Sequence, residues 1–153
     1  MLETILERVH IEHLSDLSPL FDAYRVFYEK ESDPIRGHQF LKERIENGES
    51  VVFISYTNKI ASGFVQLYPL FSSTRMARLW LLNDLFVHPD FRGQGISIQL
   101  IEQAKIHCAQ TNGCGLMLET AKSNDIGNQL YPRTGFTLDT EHHFYFWDYP
   151  LDL

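Results

Sequence analysis

A short glycine-containing turn is the first place in the sequence where residue types and spacing could do chemistry. Arg92-Gly93-Gln94-Gly95 lies between a strand pattern that ends at Val87 and a helical pattern that begins near Gly95. Unpaired backbone N–H groups and the helix dipole at such a junction favour an anion, and glycines let the backbone approach a ligand closely. The spacing alone is compatible with a phosphate site and with a plain tight turn.

Two common nucleotide-binding motifs do not fit this turn. A dinucleotide fingerprint requires a third glycine where the chain has Ile98, and a P-loop requires a Gly-Lys-Ser/Thr sequence that the chain lacks. The spacing therefore supports neither NAD nor ATP.

A longer set of residues around the turn resembles the GNAT superfamily of N-acetyltransferases. The matching residues run from Leu85 to Ile96 and continue with Leu118-Glu119-Thr120, Asn124, Leu130-Tyr131 and Gly135-Phe136. Within the superfamily, the pattern is most similar to the diamine acetyltransferase and Hpa2-like branch. The motif covers about a third of the chain, and the predicted element order extends the resemblance to nearly all of it.

The resemblance implies acetyl-CoA as co-substrate and a splayed sheet whose strand before the turn bulges. Backbone groups of Leu85, Phe86 and Val87 would bind the pantetheine arm and the acetyl carbonyl. Asn124 and Arg133 would approach the same molecule from later in the chain. The residues that would surround the pyrophosphate are Arg92, Gly93, Gln94, Gly95, Ile96, Ser97 and Ile98.

Two residues depart from the family pattern. Ser97 stands where a third glycine is usual, and its small side chain keeps a phosphate accessible. Asn83 stands where diamine acetyltransferases have a glutamate on the bulged strand, and an amide cannot take a proton as a carboxylate does.

Acetyl transfer to an amine needs a base, because an alkyl amine with a pKa near ~10.4 is almost wholly protonated at pH 7. Asp84, Glu119 or a water held by either is a candidate, although each carboxylate also fits a purely structural role. Tyr131 is the hydroxyl that the family pattern places beside the departing thiolate, where it would act as the acid or as a hydrogen-bond donor. Core packing is the alternative for this tyrosine.

The end of the first predicted helix suits a cationic acceptor. Aromatic rings beside an acid hold a cation through cation–π and ion-pair contacts, although Tyr24 also fits the core and Glu29 also fits a solvated surface. The predicted acceptor residues are Tyr28, Glu29, Asn83, Asp84 and His143.

Composition predicts one globular domain over residues 1–153. The 44% hydrophobic and 22% charged content lies near the globular average, and 153 residues suit one core. A net charge of −7 opposes nucleic-acid binding, which depends on clustered Lys and Arg, and suits a cationic substrate better.

Other features exclude membrane and metal roles. The first 14 residues carry three glutamates and lack the pattern of a secretion signal. The apolar run Leu79–Leu82 is far shorter than the ~20 residues needed to cross a membrane. Cys108 and Cys114 lack zinc-site spacing and are interpreted as reduced thiols. We expect a cytoplasmic protein without metal, and the aromatic segment from Phe144 to Tyr149 suggests a homodimer.

Hydrophobic periodicity predicts the elements that position these residues. Strands are expected over Ile5–Ile11, Val51–Tyr56, Ile60–Leu70, Arg75–Val87, Leu116–Glu119 and Phe136–Trp147. Helices are expected from Leu14 to near Lys30 and over Gln39–Asn47, Gly95–Gln110 and Asp125–Thr134, with a loop at Glu31–Gly37. Antiparallel neighbours followed by crossovers imply an α/β (α+β mixed) fold with a mostly antiparallel central sheet and helices on both faces.

Three functions remain open from the sequence. The first is acetyl transfer to a small amine such as a polyamine or an amino acid. The second is acetylation of a protein N-terminus or lysine, and the third is acyl-CoA binding without turnover, which the amide at Asn83 would allow.

Overall fold

The computed structural model describes residues 2–150, in which four α-helices and five strands occur. In chain order they are β1 (Thr4–Arg8), α1 (Leu14–Phe27), α2 (Pro34–Glu46), β2 (Val51–Thr57), β3 (Ile60–Ser72), β4 (Ala77–Val87), α3 (Ile96–Gln110), β5 (Gly113–Met117) and α4 (Asp125–Arg133). The chain divides into two compact units, the first ending at Glu119 and the second beginning at Thr120.

The first unit contains one five-stranded sheet in the order β1-β2-β3-β4-β5. The first three pairings are antiparallel, and β4 pairs with β5 in parallel across the α3 crossover. The predicted mixed, mostly antiparallel sheet is confirmed. The β2–β3 hairpin turns through Asn58 and Lys59, whose φ angles of 49° and 69° fit the tight turns that match strand twist.

Helices cover both faces of this sheet, as predicted. On one face, α1 and α2 enclose a core that contains Leu17, Leu41 and Phe64. On the other face, α3 contributes Leu100 and Ile101, each 0% exposed. Successive residues of a strand point to opposite faces of the sheet, so neighbouring residues of one strand pack in different cores.

The first two helices differ from their predicted bounds at identifiable caps. The α1 helix ends at Phe27 rather than near Lys30, because Glu29 adopts a left-handed φ of 62° that closes the helix. The α2 helix begins at Pro34, inside the predicted loop. The Asp33 carboxylate accepts the N–H of Arg36 at 3.1 Å, and proline at the first helical position is already set for the helix.

The second unit contains α4 and an extended segment. Asn124 caps α4 by accepting the N–H of Gly127 at 3.1 Å, and the predicted helix is confirmed to within one residue. The strand predicted over Phe136–Trp147 is wrong for the described chain, since residues 136–150 form no strand. An alternating hydrophobic pattern indicates which residues would share one face of a strand, but it does not provide a neighbouring strand to pair with. The Asp139 carboxylate also takes the N–H of Glu141 at 2.9 Å, a local bond that competes with a ladder.

No helix in the described part of the chain is long and apolar enough to cross a membrane. Residues 2–150 also contain no cluster of three or more His, Cys, Asp or Glu side chains that could hold a metal ion.

Candidate active site

A bulge in β4 determines which side chains form the site. Gln66 pairs with Asp84 and Leu67 pairs with Leu82, so Asn83 is the extra residue on β4. A bulge of this kind re-aims the side chains that follow it. This is the bulged strand that the family resemblance implies.

The bulge moves the second half of β4 to the other core. Before it, the Trp80 ring lies 4.7 Å from the His107 ring of α3, measured between centroids. After it, Phe86 packs in the core beneath α1 and α2, with its ring 6.2 Å from that of Tyr24. Asp84 therefore lies on the α1 face of the sheet rather than on the α3 face.

Asp84 is a buried carboxylate with several donors around it. It is 4% exposed. The Gln66 side-chain amide donates to Oδ2, and the Asn83 amide donates to Oδ1 at 2.9 Å. The Tyr24 hydroxyl donates to the Asn83 carbonyl at 3.5 Å and lies close to this carboxyl. Burial raises the pKa of Asp84 above its usual range, while the bonds from Gln66, Tyr24 and Asn83 oppose the rise.

Three tyrosines surround this carboxylate. Burial, aided by the nearby Asp84 charge, raises the pKa of Tyr24, Tyr28 and Tyr68 above that of a free phenol. Their hydroxyls are therefore neutral donors at pH 7. The Tyr24 and Tyr28 rings are in edge contact, with centroids 5.0 Å apart. A carboxylate among aromatic rings can hold an ammonium ion and accept its proton.

Gln66 is a site residue that sequence reasoning missed. It is fully buried at 0% exposed, and its Oε1 has no hydrogen-bond partner among residues 2–150. Tyr68, two residues later on the same face of β3, was missed as well. The available signal was a lone glutamine in the apolar strand sequence Gly63-Phe64-Val65-Gln66-Leu67, because a buried polar residue usually has a partner on the next strand.

The sheet opens beside the site. β5 pairs with β4 only as far as Leu81, opposite Met117. From Leu82 to Val87, β4 keeps its pairing with β3 but has no strand on its other side in the described chain. In this part of β4 the outward-facing backbone groups have no strand partner in the described chain, and the Val87 carbonyl accepts a hydrogen bond from Arg92 Nε. Phe86 is 6% exposed, and its side chain belongs to the core.

The turn after β4 places two glycines with left-handed backbone conformation at the start of α3. Gly93 and Gly95 both have φ of +77°, which L-residues rarely adopt, and Gly95 is the N-cap of α3. A Cβ on either would meet nothing within 4 Å, so these glycines are required by conformation rather than by space. Gln94 is exposed, Ser97 is half-buried and Ile98 is 38% exposed. Ile96, at 2% exposed, has only its backbone available.

The Arg92 side chain contacts the end of β4 and α1. Its Nε donates to the Val87 carbonyl at 2.9 Å, and its guanidinium lies 5.5 Å from the Phe27 ring centroid and 5.7 Å from that of Phe86. It joins the turn to the last strand residue and to α1.

The remaining predicted residues of the first unit differ in their contacts. Tyr28 and Asn83, although exposed, lie beside Asp84, and Glu29 is exposed at the end of α1. Glu119 lies exposed two residues beyond β5. Of the two candidate bases, only Asp84 is buried.

In the second unit, three predicted residues lie on or next to α4. Tyr131 is half-buried, with its ring 5.7 Å from that of Phe136, and Arg133 is exposed. The Asn124 side chain is occupied within its own unit, because it also donates to Thr120 Oγ1 at 2.9 Å. His143 lies exposed on the extended segment.

The bulged strand, the opened sheet and the glycine turn at the start of α3 together define the acetyl-CoA-binding framework of one enzyme class, and the chain belongs to the GNAT family of acetyltransferases. Residues 47–138 match the acetyltransferase (GNAT) domain model. The chain is 43% identical over 124 residues to YhfO of Bacillus subtilis strain 168, an uncharacterized N-acetyltransferase, covering 81% of this chain and 83% of that protein.

Two further proteins resemble the chain. A "Probable acetyltransferase" of Haemophilus influenzae is 40% identical over 99 residues, covering 63% of this chain and 68% of that protein. The crystal structure of another "probable acetyltransferase" superposes with a TM-score of 0.91 at 32% identity, covering 97% of this chain and 99% of the other. The expected enzyme class, an N-acetyltransferase, is confirmed.

Proposed function

We propose that the chain transfers the acetyl group of acetyl-CoA to a small primary amine whose ammonium group is held at Asp84. The observation that carries the proposal is the buried Asp84 carboxylate on the β4 bulge, enclosed by tyrosines and adjacent to the open edge of the sheet. One carboxylate inside an aromatic wall suits a small cation. We place the chain near the diamine acetyltransferase and Hpa2-like branch and take residues 1–153 as one functional domain.

Acetyl-CoA fits the residues present. Backbone groups of Leu85, Phe86 and Val87 would hold its pantetheine arm beside the unpaired side of β4, and the turn from Arg92 to Ile98 would hold its pyrophosphate at the start of α3. Asn124 and Arg133 would complete the site. When bound, acetyl-CoA supplies a thioester that an uncharged amine can attack.

Asp84 is proposed as the base. It takes the proton that the substrate ammonium must lose before its nitrogen can form the new C–N bond, directly or through one water. Its raised pKa brings its basicity closer to that of the amine than an exposed carboxylate would. Tyr131 donates a hydrogen bond to the thiolate as the C–S bond breaks. Glu119 is the second candidate base.

The proposal is tested by thiol release from acetyl-CoA across polyamines, amino acids, aminoglycosides and short peptides. Asp84→Asn is expected to lower kcat by about 10²–10⁴-fold, the usual contribution of a positioned base. The matched control is Glu119→Gln, which is expected to keep activity within a few-fold. Both variants are checked for acetyl-CoA binding.

Other outcomes assign a different function. If Glu119→Gln abolishes turnover and Asp84→Asn does not, the base is Glu119. Release only with peptides would indicate acetylation of a protein amine. Acetyl-CoA binding without release for any amine would indicate an acyl-CoA-binding module without turnover. The proposed assembly of the chain is a homodimer.

A further inference from the structure

We propose that the Arg92 side chain is a positioning residue for the amine, although its backbone belongs to the turn proposed to bind acetyl-CoA. The guanidinium holds the last turn of α1 in place, and that turn carries Tyr28 beside Asp84. The inference rests on the proposed amine site at Asp84. It goes further, because it assigns the charge of Arg92 to the amine site rather than to the pyrophosphate of acetyl-CoA.

The Arg92 side chain lies on the face of the sheet that carries Asp84. Its Nε donates to the Val87 carbonyl at 2.9 Å, which ties the side chain to the end of β4. Its guanidinium lies 5.7 Å from the ring centroid of Phe86, a residue of the core beneath α1 and α2. Asp84 and Phe86 are two residues apart on a strand and share that face. No carboxylate of residues 2–150 forms an ion pair with Arg92, so its charge is held by aromatic rings and one carbonyl.

Phe27, the last residue of α1, is the second ring beside the guanidinium. The guanidinium carbon lies 5.5 Å from its ring centroid, within the range of a cation–π contact. The Phe27 ring also lies 5.3 Å from that of Tyr28 and 6.4 Å from that of Phe86. Phe27 is 57% exposed, so burial holds it only weakly. The contact with Arg92 therefore contributes much of what fixes this end of the helix.

The contact continues from Phe27 to the amine site through two tyrosines. The Tyr28 ring is in edge contact with the Tyr24 ring, with centroids 5.0 Å apart. The Tyr24 hydroxyl donates to the Asn83 carbonyl at 3.5 Å, next to Asp84 in the chain. Tyr28 is 45% exposed, so its place beside Asp84 depends on the last turn of α1. A looser turn would leave an ammonium ion with fewer aromatic contacts at the carboxylate.

Hydrogen exchange of the unliganded chain tests the structural step without any amine. The amides of residues 28–30 close α1 by donating to carbonyls of its last turns at 3.0–3.2 Å. In Arg92→Met and in Phe27→Leu, these amides are expected to exchange at least about 3-fold faster than in the wild type, the equivalent of one cation–π contact. The amides of residues 48–49, which close α2 in the same way, should keep their rates and show that the fold is intact.

Ligand measurements separate the two roles that the Arg92 charge could have. In Arg92→Met, the KM of the panel amine with the fastest thiol release is expected to rise at least about 3-fold. The Kd for CoA, measured by calorimetry, should stay within about 2-fold, because backbone N–H groups at the start of α3 suffice for an anion. The double variant with Phe27→Leu should be no worse than Phe27→Leu alone, since both changes remove the same contact.

Arg78→Met is the matched control. Arg78 also lies over two rings, at 4.7 Å from Phe71 and 5.3 Å from Trp80, but Trp80 packs against α3 rather than α1. This variant should change neither the exchange of residues 28–30 nor the two ligand constants.

Three results would overturn the inference. They are wild-type exchange of residues 28–30 in Arg92→Met, an unchanged KM for the amine in that variant, and CoA binding weakened by about 10-fold or more, which would place the charge at the pyrophosphate. Failure of the proposed function has a different signature, namely no thiol release by the wild type with any amine while CoA still binds.

Discussion

At the scale of single residues, the candidate site depends on a polar pair inside an aromatic core. Asp84 and Gln66 are opposite each other on β4 and β3, and both are buried. A buried carboxylate without donors becomes neutral, and a neutral acid cannot accept a proton. The donors from Gln66, Tyr24 and Asn83 are what keep ionisation of Asp84 within reach.

Removal of Gln66 should therefore move the pH dependence of the enzyme. Its amide bonds to the charged form of Asp84, so Gln66→Leu is expected to raise the carboxyl pKa further. The acid limb of the kcat–pH profile should therefore shift to higher pH. A shift of roughly 1–2 pH units corresponds to the free energy of one hydrogen bond to a charged group. Thiol release measured across pH checks this prediction.

The control for this experiment is Gln39→Leu, which alters an exposed glutamine on α2 that bonds only to the neighbouring Glu43 in the described chain. Its profile should overlay that of the wild type. An equal loss of activity at every pH in Gln66→Leu, with no shift of the limb, would mean that Gln66 supports the fold but does not tune Asp84.

At the scale of elements, backbone conformation matters more than side-chain identity. The turn before α3 requires two residues at φ of +77°, and the bulge at Asn83 reverses the faces of β4. Neither feature involves a catalytic side chain. Both decide where backbone N–H and C=O groups point, and the proposed acetyl-CoA contacts are mostly with backbone.

A Cβ at the turn should weaken acetyl-CoA binding without any clash. Gly95→Ala places an L-residue at positive φ in open space, so its penalty is conformational, roughly 1–2 kcal/mol. We expect a lower Tm together with a raised KM for acetyl-CoA. Thermal unfolding and steady-state kinetics with acetyl-CoA as the varied substrate measure the two effects.

Gly115→Ala supplies the matched control. Gly115, on β5, also has nothing within 4 Å of an added Cβ, but its φ is not positive. The same added methyl group is therefore expected to change neither Tm nor KM appreciably. If Gly95→Ala behaves in the same way as Gly115→Ala, the turn does not require the left-handed conformation for function.

At the scale of the whole molecule, the two faces of the sheet respond differently to pH. On the α1 face, Asp84 has a raised pKa, so its burial favours the protonated form. On the α3 face, His107 is 5% exposed, and its ring contacts Trp80 and Phe53. Its Nε2 has no hydrogen-bond partner in the part of the chain that the structure describes. Burial, together with the charges of Arg8 and Arg78, lowers the pKa of His107.

A lowered histidine pKa in the folded state means that the unfolded chain binds the proton more tightly. The stability that neutral His107 contributes is therefore present above the unfolded value near ~6.5 and is lost as pH falls through that value toward the folded pKa. His107→Phe, which keeps an aromatic ring between Trp80 and Phe53, is expected to lose less stability between pH 7 and pH 5 than the wild type does. Urea unfolding at several pH values measures the difference.

His10→Gln, which removes an exposed histidine, is the control and should keep the wild-type pH dependence. If the free energy of unfolding falls with pH as steeply in His107→Phe as in the wild type, the loss of stability in acid arises from other groups.

The sequence by itself determined the elements whose signals are local. Hydrophobic periodicity and capping residues located the β2–β3 hairpin, α3 and α4, and the motif from Leu85 to Ile96 indicated the family and the turn. Asp33 and Pro34 also indicate where α2 begins, although the stretch Glu31–Gly37 is predicted as a loop. These signals are local because helices and tight turns satisfy their hydrogen bonds among near neighbours.

Only the tertiary structure decided what depends on residues far apart in the chain. The pairing of Gln66 with Asp84 requires the register between β3 and β4, and the bulge that turns Asp84 toward α1 appears only in that register. The segment 136–150 has a strand-like pattern but forms no strand, because a strand needs a neighbouring edge to pair with and a sequence pattern does not supply one. Side-chain type can be read along one segment, whereas burial and hydrogen-bond partners are properties of the segments that fold against it.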